Sequence, residues 1–246
     1  MKRRDTVLEA ARRIFCAHYR VVANNLDGAA AARSSLPLHD IRVSVRRLCV
    51  ALRVFRRHLR GTPAASLAGR FSRLNSTLGP IRDGDVWVEY LHSRKPASKL
   101  ADDRTWPAYV AFQESQRQRS IRKLRRLLRS PQVRDLMKRA RHFGSVGLLD
   151  IIRKRPHAPL RPFAVTRMNR ALDDVIESPD VSPATLPDDL HALRKLCRRG
   201  RYHAEFFTPA LGPAAAELTV RFKRIADPLG RIHDVDVALE RLAKER

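Results

Sequence analysis

Two runs of basic residues have types and spacing suited to chemistry. In "HDIRVSVRRLCVALRVF", His39, Arg42, Arg46 and Arg53 fall on one narrow arc of a helical wheel turned about 100° per residue. Ile41, Val45, Leu48, Leu52 and Phe55 flank that arc on one side, and Val43, Val50 and Val54 on the other. In "HALRKLCRRGRYHAEFF", His191, Arg194, Arg198, Arg201 and Tyr202 fall on or beside a matching arc, Glu205 lies on it, and Leu193, Cys197, Ala204 and Phe207 flank it. A guanidinium held between apolar faces without a partner costs several kcal/mol, so both stripes must meet carboxylates, water or an anionic ligand. The chemistry on offer is anion binding. The planar arginine fork takes phosphate oxygens two at a time and keeps its charge at any physiological pH, and histidine adds a donor. From His39 to Arg53 the first stripe runs roughly 21 Å, a rail for an extended anion.

The composition agrees. The chain of 246 residues carries 50 Lys and Arg against 25 Asp and Glu, a net charge of +25. That imbalance is spread along the sequence, and a compact state bearing it calls for a polyanion: nucleic acid, polyphosphate or an anionic lipid surface. Acids such as Asp83, Asp85, Asp234 and Asp236 are too few to neutralise every stripe residue. They follow "LG" turns, where they are expected to cap the next helix and orient arginines. Cys16, Cys49 and Cys197 form no CxxC pair, so neither a disulfide framework nor a zinc site is expected, and a reducing cytoplasm is. The N-terminus lacks a signal-peptide core, and no apolar run is long enough to span a bilayer. His39-Asp40 and His233-Asp234 are HD dipeptides, but neighbouring helical residues diverge by about 100° and the nearby arginines would repel a divalent cation. No metal, cofactor or catalytic residue is expected.

These residues need helices to position them. Helical periodicity dominates the sequence and strand alternation is absent, which predicts an all-α fold. The expected order is a first helix ahead of a loop at 28–37, then the arginine helix to about Leu59. A helix from about Ser66 ends near "LGP", and another starts around Asp83. "SRKPASKLADD" reads as a linker, followed by a long basic helix over 106–129 and a shorter one from Pro131 to Gly144. Further helices are expected at 160–177, at 188–207 with Asp188 or Asp189 as its cap, at 213–226, and from His233 onward. A repeat underlies this order. "GRFSRLNSTLGPIRDGDVWV" from Gly69 aligns without a gap with "VRFKRIADPLGRIHDVDVAL" from Val220, pairing Arg70/Arg221, Leu78/Leu229, Gly79/Gly230, Asp83/Asp234 and Asp85/Asp236. Upstream, His39/His191, Arg42/Arg194, Arg46/Arg198 and Phe55/Phe207 pair in the same order. The reading is an internal duplication, with halves at about 1–150 and 151–246, two helical bundles in approximate two-fold symmetry, and both stripes facing a shared basic cavity.

The motifs also resemble a known family. His39-Asp40-x-Arg42 with Arg46-Arg47-Leu48, then Leu78-Gly79 with Arg82-Asp83-x-Asp85-Val86, is similar to the first half of a CHAD domain, the histidine-containing α-helical domain. Leu190-His191-x-Leu193-Arg194-Lys195, Arg201-Tyr202, Glu205-Phe206-Phe207, Leu229-Gly230 and His233-Asp234 resemble its second half. The resemblance implies a single domain over 1–246 that binds inorganic polyphosphate, in some members at polyphosphate granules. It implies ligand contacts from His39, Arg42, Arg46, Arg53, Arg82, His191, Arg194, Lys195, Arg198, Arg201 and His233. Arg117 and Arg221, each on an apolar helix face, either join them or snorkel to the surface. Asp83, Asp85, Asp234, Asp236, Tyr202 and Glu205 play supporting parts. Cys49 departs from the pattern where a basic residue is usual, and Gly200 where an apolar one is, at an expected cost of roughly 1 kcal/mol relative to Ala. Two alternatives are weighed against this binding role. One is a basic nucleic-acid-associated protein, disfavoured because only 6% of residues are aromatic, too few for stacking platforms. The other is a polyphosphate hydrolase or phosphotransfer enzyme.

Overall fold

The computed structural model describes residues 5–93, 105–182 and 184–244, so the expected linker at 93–103 lies, except for Ser93, outside the described residues. The fold is all-α: α1 Val7–Ala31, α2 Leu36–Val54, α3 Ala64–Ser93, α4 Thr105–Leu128, α5 Pro131–His142, α6 Leu148–Lys154, α7 Leu160–Ile176, α8 Pro187–Leu211 and α9 Pro213–Lys244. No helix is long and apolar enough to cross a membrane among the described residues. The helices sort into two compact units, one comprising Ile14–Arg153 and the other Lys154–Arg246 together with the N-terminal residues through Arg13. The start of α1 therefore belongs with the C-terminal half.

In the unit of residues 14–153, α2 and α3 form an antiparallel hairpin joined by α4 and α5. Leu38, Ile41, Val45, Leu48, Ala51 and Leu52 recur at three- and four-residue intervals and are buried along α2, which is why this stretch is a helix with one inward face. Phe71, Leu74, Leu78, Ile81, Val88 and Leu91 do the same for α3. Ser130 caps α5 by accepting from the Val133 amide at 3.3 Å, and Pro131 occupies the first turn, where no amide donor is needed. After α5 the backbone widens into one π turn, Phe143–Gly147, and continues into α6, so the helix expected to stop at Gly144 runs on. Gly144 packs closely there, where a Cβ would lie 3.1 Å from Cys16 Sγ and 3.2 Å from the Phe15 ring.

In the other unit, α1 begins with a reciprocal cap: Thr6 N donates to Glu9 Oε2 at 2.8 Å, and Glu9 N donates to Thr6 Oγ1 at 3.3 Å. The strand-like pairing of Val7 N with Ala158 O and Leu160 N with Asp5 O ties this turn to the start of α7. Helix α8 runs antiparallel to α9 through a tight turn at Gly212 (φ 73°). Leu160, Cys197, Phe207 and Phe222 fill the core, with Phe163 set edge-on to Phe207 at 6.0 Å. Asp188 and Asp189 sit in the first turn of α8, behind Leu186 as the capping residue, and make no side-chain cap. They favour that end through the helix dipole alone.

Three further expectations change. Helices α3 and α9 run without a break through Pro80 and Pro228, where the sequence reading ended one helix and began another. A proline inside a helix costs about 3 kcal/mol, and the burial of both flanks of α3 outweighs it there. The four aspartates therefore lie inside long helices and cap nothing. Helix α2 ends at Val54, five residues before the expected Leu59, and the chain turns from Phe55 onward. Gly200 is no defect either: a Cβ there would sit 2.6 Å from the Phe222 ring, so glycine is what lets α8 and α9 meet at this height.

Candidate anion-binding site

The α8–α9 hairpin places side chains of opposite helices at matching heights. Gly200 faces Phe222, Arg194 faces Gly230, and His191 faces His233 with ring centroids 4.3 Å apart. On α8, Arg194, Arg198 and Arg201 share one face. On α9, Asp227, Arg231 and Asp234, spaced four and three residues apart, share another. Together these six side chains, with Ala226 and Gly230, line a pocket of about 390 Å³. None of its four arginines forms an ion pair with Asp227 or Asp234 among the described residues, and the lining carries two more arginines than aspartates.

Neighbouring side chains hold the arginines in place. The Arg201 guanidinium lies over the Tyr202 ring, 5.3 Å from its centroid, and Tyr202 is itself buried. Glu205 approaches Arg201 Nε at 3.5 Å without making a hydrogen bond, which leaves that buried nitrogen without an acceptor. Arg194 packs flat on Gly230, where a Cβ would come within 3.5 Å of Nε. One turn along α8, His191 has its proton affinity lowered by burial, then by the charges of Lys195, His233 and Arg194, with Asp188 opposing. Its buried Nδ1 also lacks a hydrogen-bond partner. An anion with several oxygens would satisfy these groups together.

The first stripe is built alike but closed. Arg42 Nη1 donates to the Gly79 carbonyl at 3.2 Å and to Asp83 Oδ1 at 3.0 Å, so the residue matching Arg194 is already bound. Arg46 is half-buried and makes no ion pair among the described residues, while His39 and Arg53 are exposed. Arg82 pairs with Glu89 at 3.4 Å. Cys49, in the place where a basic residue is usual, has its thiol pushed up to about 11 by burial, against the pull of Arg53, and points at the Ala68 carbonyl.

Of the other sequence candidates, Lys195 is exposed and outside the pocket lining. Arg117 Nε donates at 2.8 Å to the buried carboxylate of Asp85, so this arginine is held by an internal acid. Arg221 stands on an exposed face, held by Glu217 one turn away at 2.6 Å, because its neighbour Phe222 takes the inward position. Asp236 is half-exposed and makes no ion pair among the described residues. Sequence reasoning missed Arg231 and Asp227. Their four-residue spacing ahead of Asp234 was the available signal, and it was hidden by treating "DPLG" as a break. No group of three or more His, Cys, Asp or Glu able to hold a metal occurs among the described residues.

Comparison with known proteins follows this geometry. A family model described as the CHAD domain matches residues 13–243. No curated protein matches the sequence. Among solved structures, the chain is similar to the crystal structure of the CHAD domain from the plant Ricinus communis, with a TM-score of 0.78 and 23% identity over 100% of this chain and 82% of that one. It is also similar to PptA from Streptomyces chartreusis, with a TM-score of 0.70 and 18% identity over 98% and 86% of the two chains.

Proposed function

This chain belongs to the CHAD domain family, a family associated with polyphosphate, and we propose that it binds inorganic polyphosphate without transforming it. The observation that carries this reading is the α8–α9 pocket, in which Arg194, Arg198, Arg201 and Arg231 converge on a space of about 390 Å³ with two carboxylates between them. Polyphosphate offers several non-bridging oxygens within reach of such a cluster, and each bidentate arginine contact is worth about 1.5–3 kcal/mol. Among the described residues no aromatic side chain lines the pocket, so a nucleic acid would present its phosphates there with no stacking partner for its bases. His191 and His233 extend the site by one helical turn. Arg42, Arg46, Arg53, His39 and Arg82 supply a second, weaker stretch along α2 and α3, where Asp83 competes for Arg42. Recruitment to polyphosphate granules follows from such binding where granules exist.

Competition decides between the two polyanions. Labelled polyphosphate bound to the protein is challenged with unlabelled polyphosphate or with single-stranded DNA of equal charge, at several salt concentrations. Polyphosphate should displace the label at a concentration at least about tenfold below that of DNA, and the reverse order would sink the reading. Release of orthophosphate during incubation with a divalent cation would show that the protein is an enzyme instead.

A further inference from the structure

Helix α4 has two faces of opposite character. Gln113, Ile121, Leu124 and Leu128 are buried, and Arg117 beside them is held by Asp85. On the other side of the wheel stand Arg119, Arg122, Lys123 and Arg126, all exposed and within about 100° of arc. None of these four forms an ion pair among the described residues, and no acid of α4 shares their arc. Helix α5 repeats the pattern: Val133, Leu136, Met137 and Ala140 are buried, while Arg134, Lys138 and Arg141 are exposed along one face. The acid of α5, Asp135, is already taken by Arg70 and Arg139. Seven like charges on two consecutive helices repel one another, and a polyanion seated on them relieves that repulsion.

Shape and chemistry select among polyanions. An anionic membrane holds an amphipathic helix by taking up its apolar face. The apolar face of α4 is already buried within its own unit, and Phe112, 48% exposed, is the one large apolar side chain on the basic arc among the described residues. A flexible polyphosphate thread suits the α8–α9 pocket, where cations converge on it; on a convex ridge it would meet them from one side alone. A ridge suits a groove. A helix with its side chains is about 10–12 Å across, and the major groove of B-form DNA is about 12 Å wide. A-form RNA has a deep, narrow major groove that side chains do not enter. The DNA duplex carries one negative charge per about 1.7 Å of its axis, so both walls of the groove offer phosphates to the row. We infer that the outer face of α4, flanked by that of α5, binds double-stranded DNA, on residues other than those of the pocket. Cations dominate this face, so the contacts are to phosphates and tolerate any sequence. The scarcity of aromatic residues tells against single strands and leaves a stacked duplex unaffected.

The test titrates the intact chain into a fluorescent DNA duplex of about 20 base pairs at about 0.15 M salt, where distant charges are screened. Arg119→Glu/Arg122→Glu/Arg126→Glu should weaken binding at least about thirtyfold. Arg119→Gln/Arg122→Gln/Arg126→Gln should weaken it at least about tenfold and make the slope of log K against log salt shallower by about 2.7, or 0.9 for each lost phosphate contact. Glutamine keeps the helix propensity of arginine, so this variant decides if the charge reversal does not fold. A pocket variant of equal charge change, Arg194→Glu/Arg198→Glu/Arg231→Glu, should move duplex affinity less than about threefold, whatever it does to polyphosphate. Double-stranded RNA of the same sequence should bind at least about fivefold more weakly. The inference is overturned by duplex binding indifferent to the α4 variants, by an equal loss in the pocket variant, or by RNA bound as tightly as DNA. It is also overturned if phosphatidylserine–phosphatidylcholine vesicles displace the duplex at a lower concentration of charge than unlabelled duplex does.

Discussion

Gly200 shows how one side chain's absence shapes the site. Helix propensity alone makes Gly200→Ala stabilising by about 1 kcal/mol. The buried Phe222 ring, 2.6 Å from where the new Cβ would stand, reverses the sign. The substitution should destabilise by roughly 1–3 kcal/mol in urea denaturation, and Phe222→Leu in the same chain should recover part of the loss. His203 is a second such residue. Burial, and then the charges of Arg199 and Arg167, lower its pKa from 6.5 to about 4, against a hydrogen bond to the Arg167 backbone and the charge of Asp174. The unfolded chain therefore binds the extra proton first. Stability should be full above about pH 6.5, fall as the pH drops through the window between 6.5 and 4, and be lower by roughly 3 kcal/mol below it. Replacing His203 with Phe should flatten that slope in thermal melts. The arginine stripes were legible at this scale because type and period coincide. That Asp83 ties up Arg42 while Asp234 leaves Arg194 free was not legible, since the two pairs hold matching places in the repeat, 41 and 40 residues apart, and it is side-chain placement that tells them apart.

At the scale of elements, the hairpins α2–α3 and α8–α9 do the positioning, and their periodic apolar faces made them readable. Their true lengths were not. Glycine followed or preceded by proline is a strong local stop signal, and only the tertiary burial of Leu78 and Ile81 on either side of Pro80 shows why α3 continues. Reading α9 as two pieces also separated Asp227 from Asp234 and concealed half of the pocket. Helix α4 contributes a less obvious support. Arg125 Nε and Nη2 donate to the Ala30 and Ala31 carbonyls at 2.9 and 3.1 Å, closing the C-terminal end of α1. Arg125→Ala should cost about 1 kcal/mol and speed amide exchange in the last turn of α1, while Arg125→Lys should keep part of the effect.

Over the whole molecule, the surplus of 25 positive charges sets how tightly any polyanion is held and how steeply salt loosens it. If the four pocket arginines each neutralise one phosphate charge, log K against log salt should fall with a slope of about −3, by analogy with single strands. A slope near zero would mean the charge surplus is not used. The central claim is that the α8–α9 pocket grips the polymer, and it is tested most directly by the polyphosphate affinity of Arg194→Glu/Arg198→Glu beside that of the unaltered chain. Both are measured by titration at one salt concentration, with helical content checked by circular dichroism. The account predicts a loss of at least about a hundredfold with helicity unchanged. Affinity within twofold of the unaltered chain would contradict it.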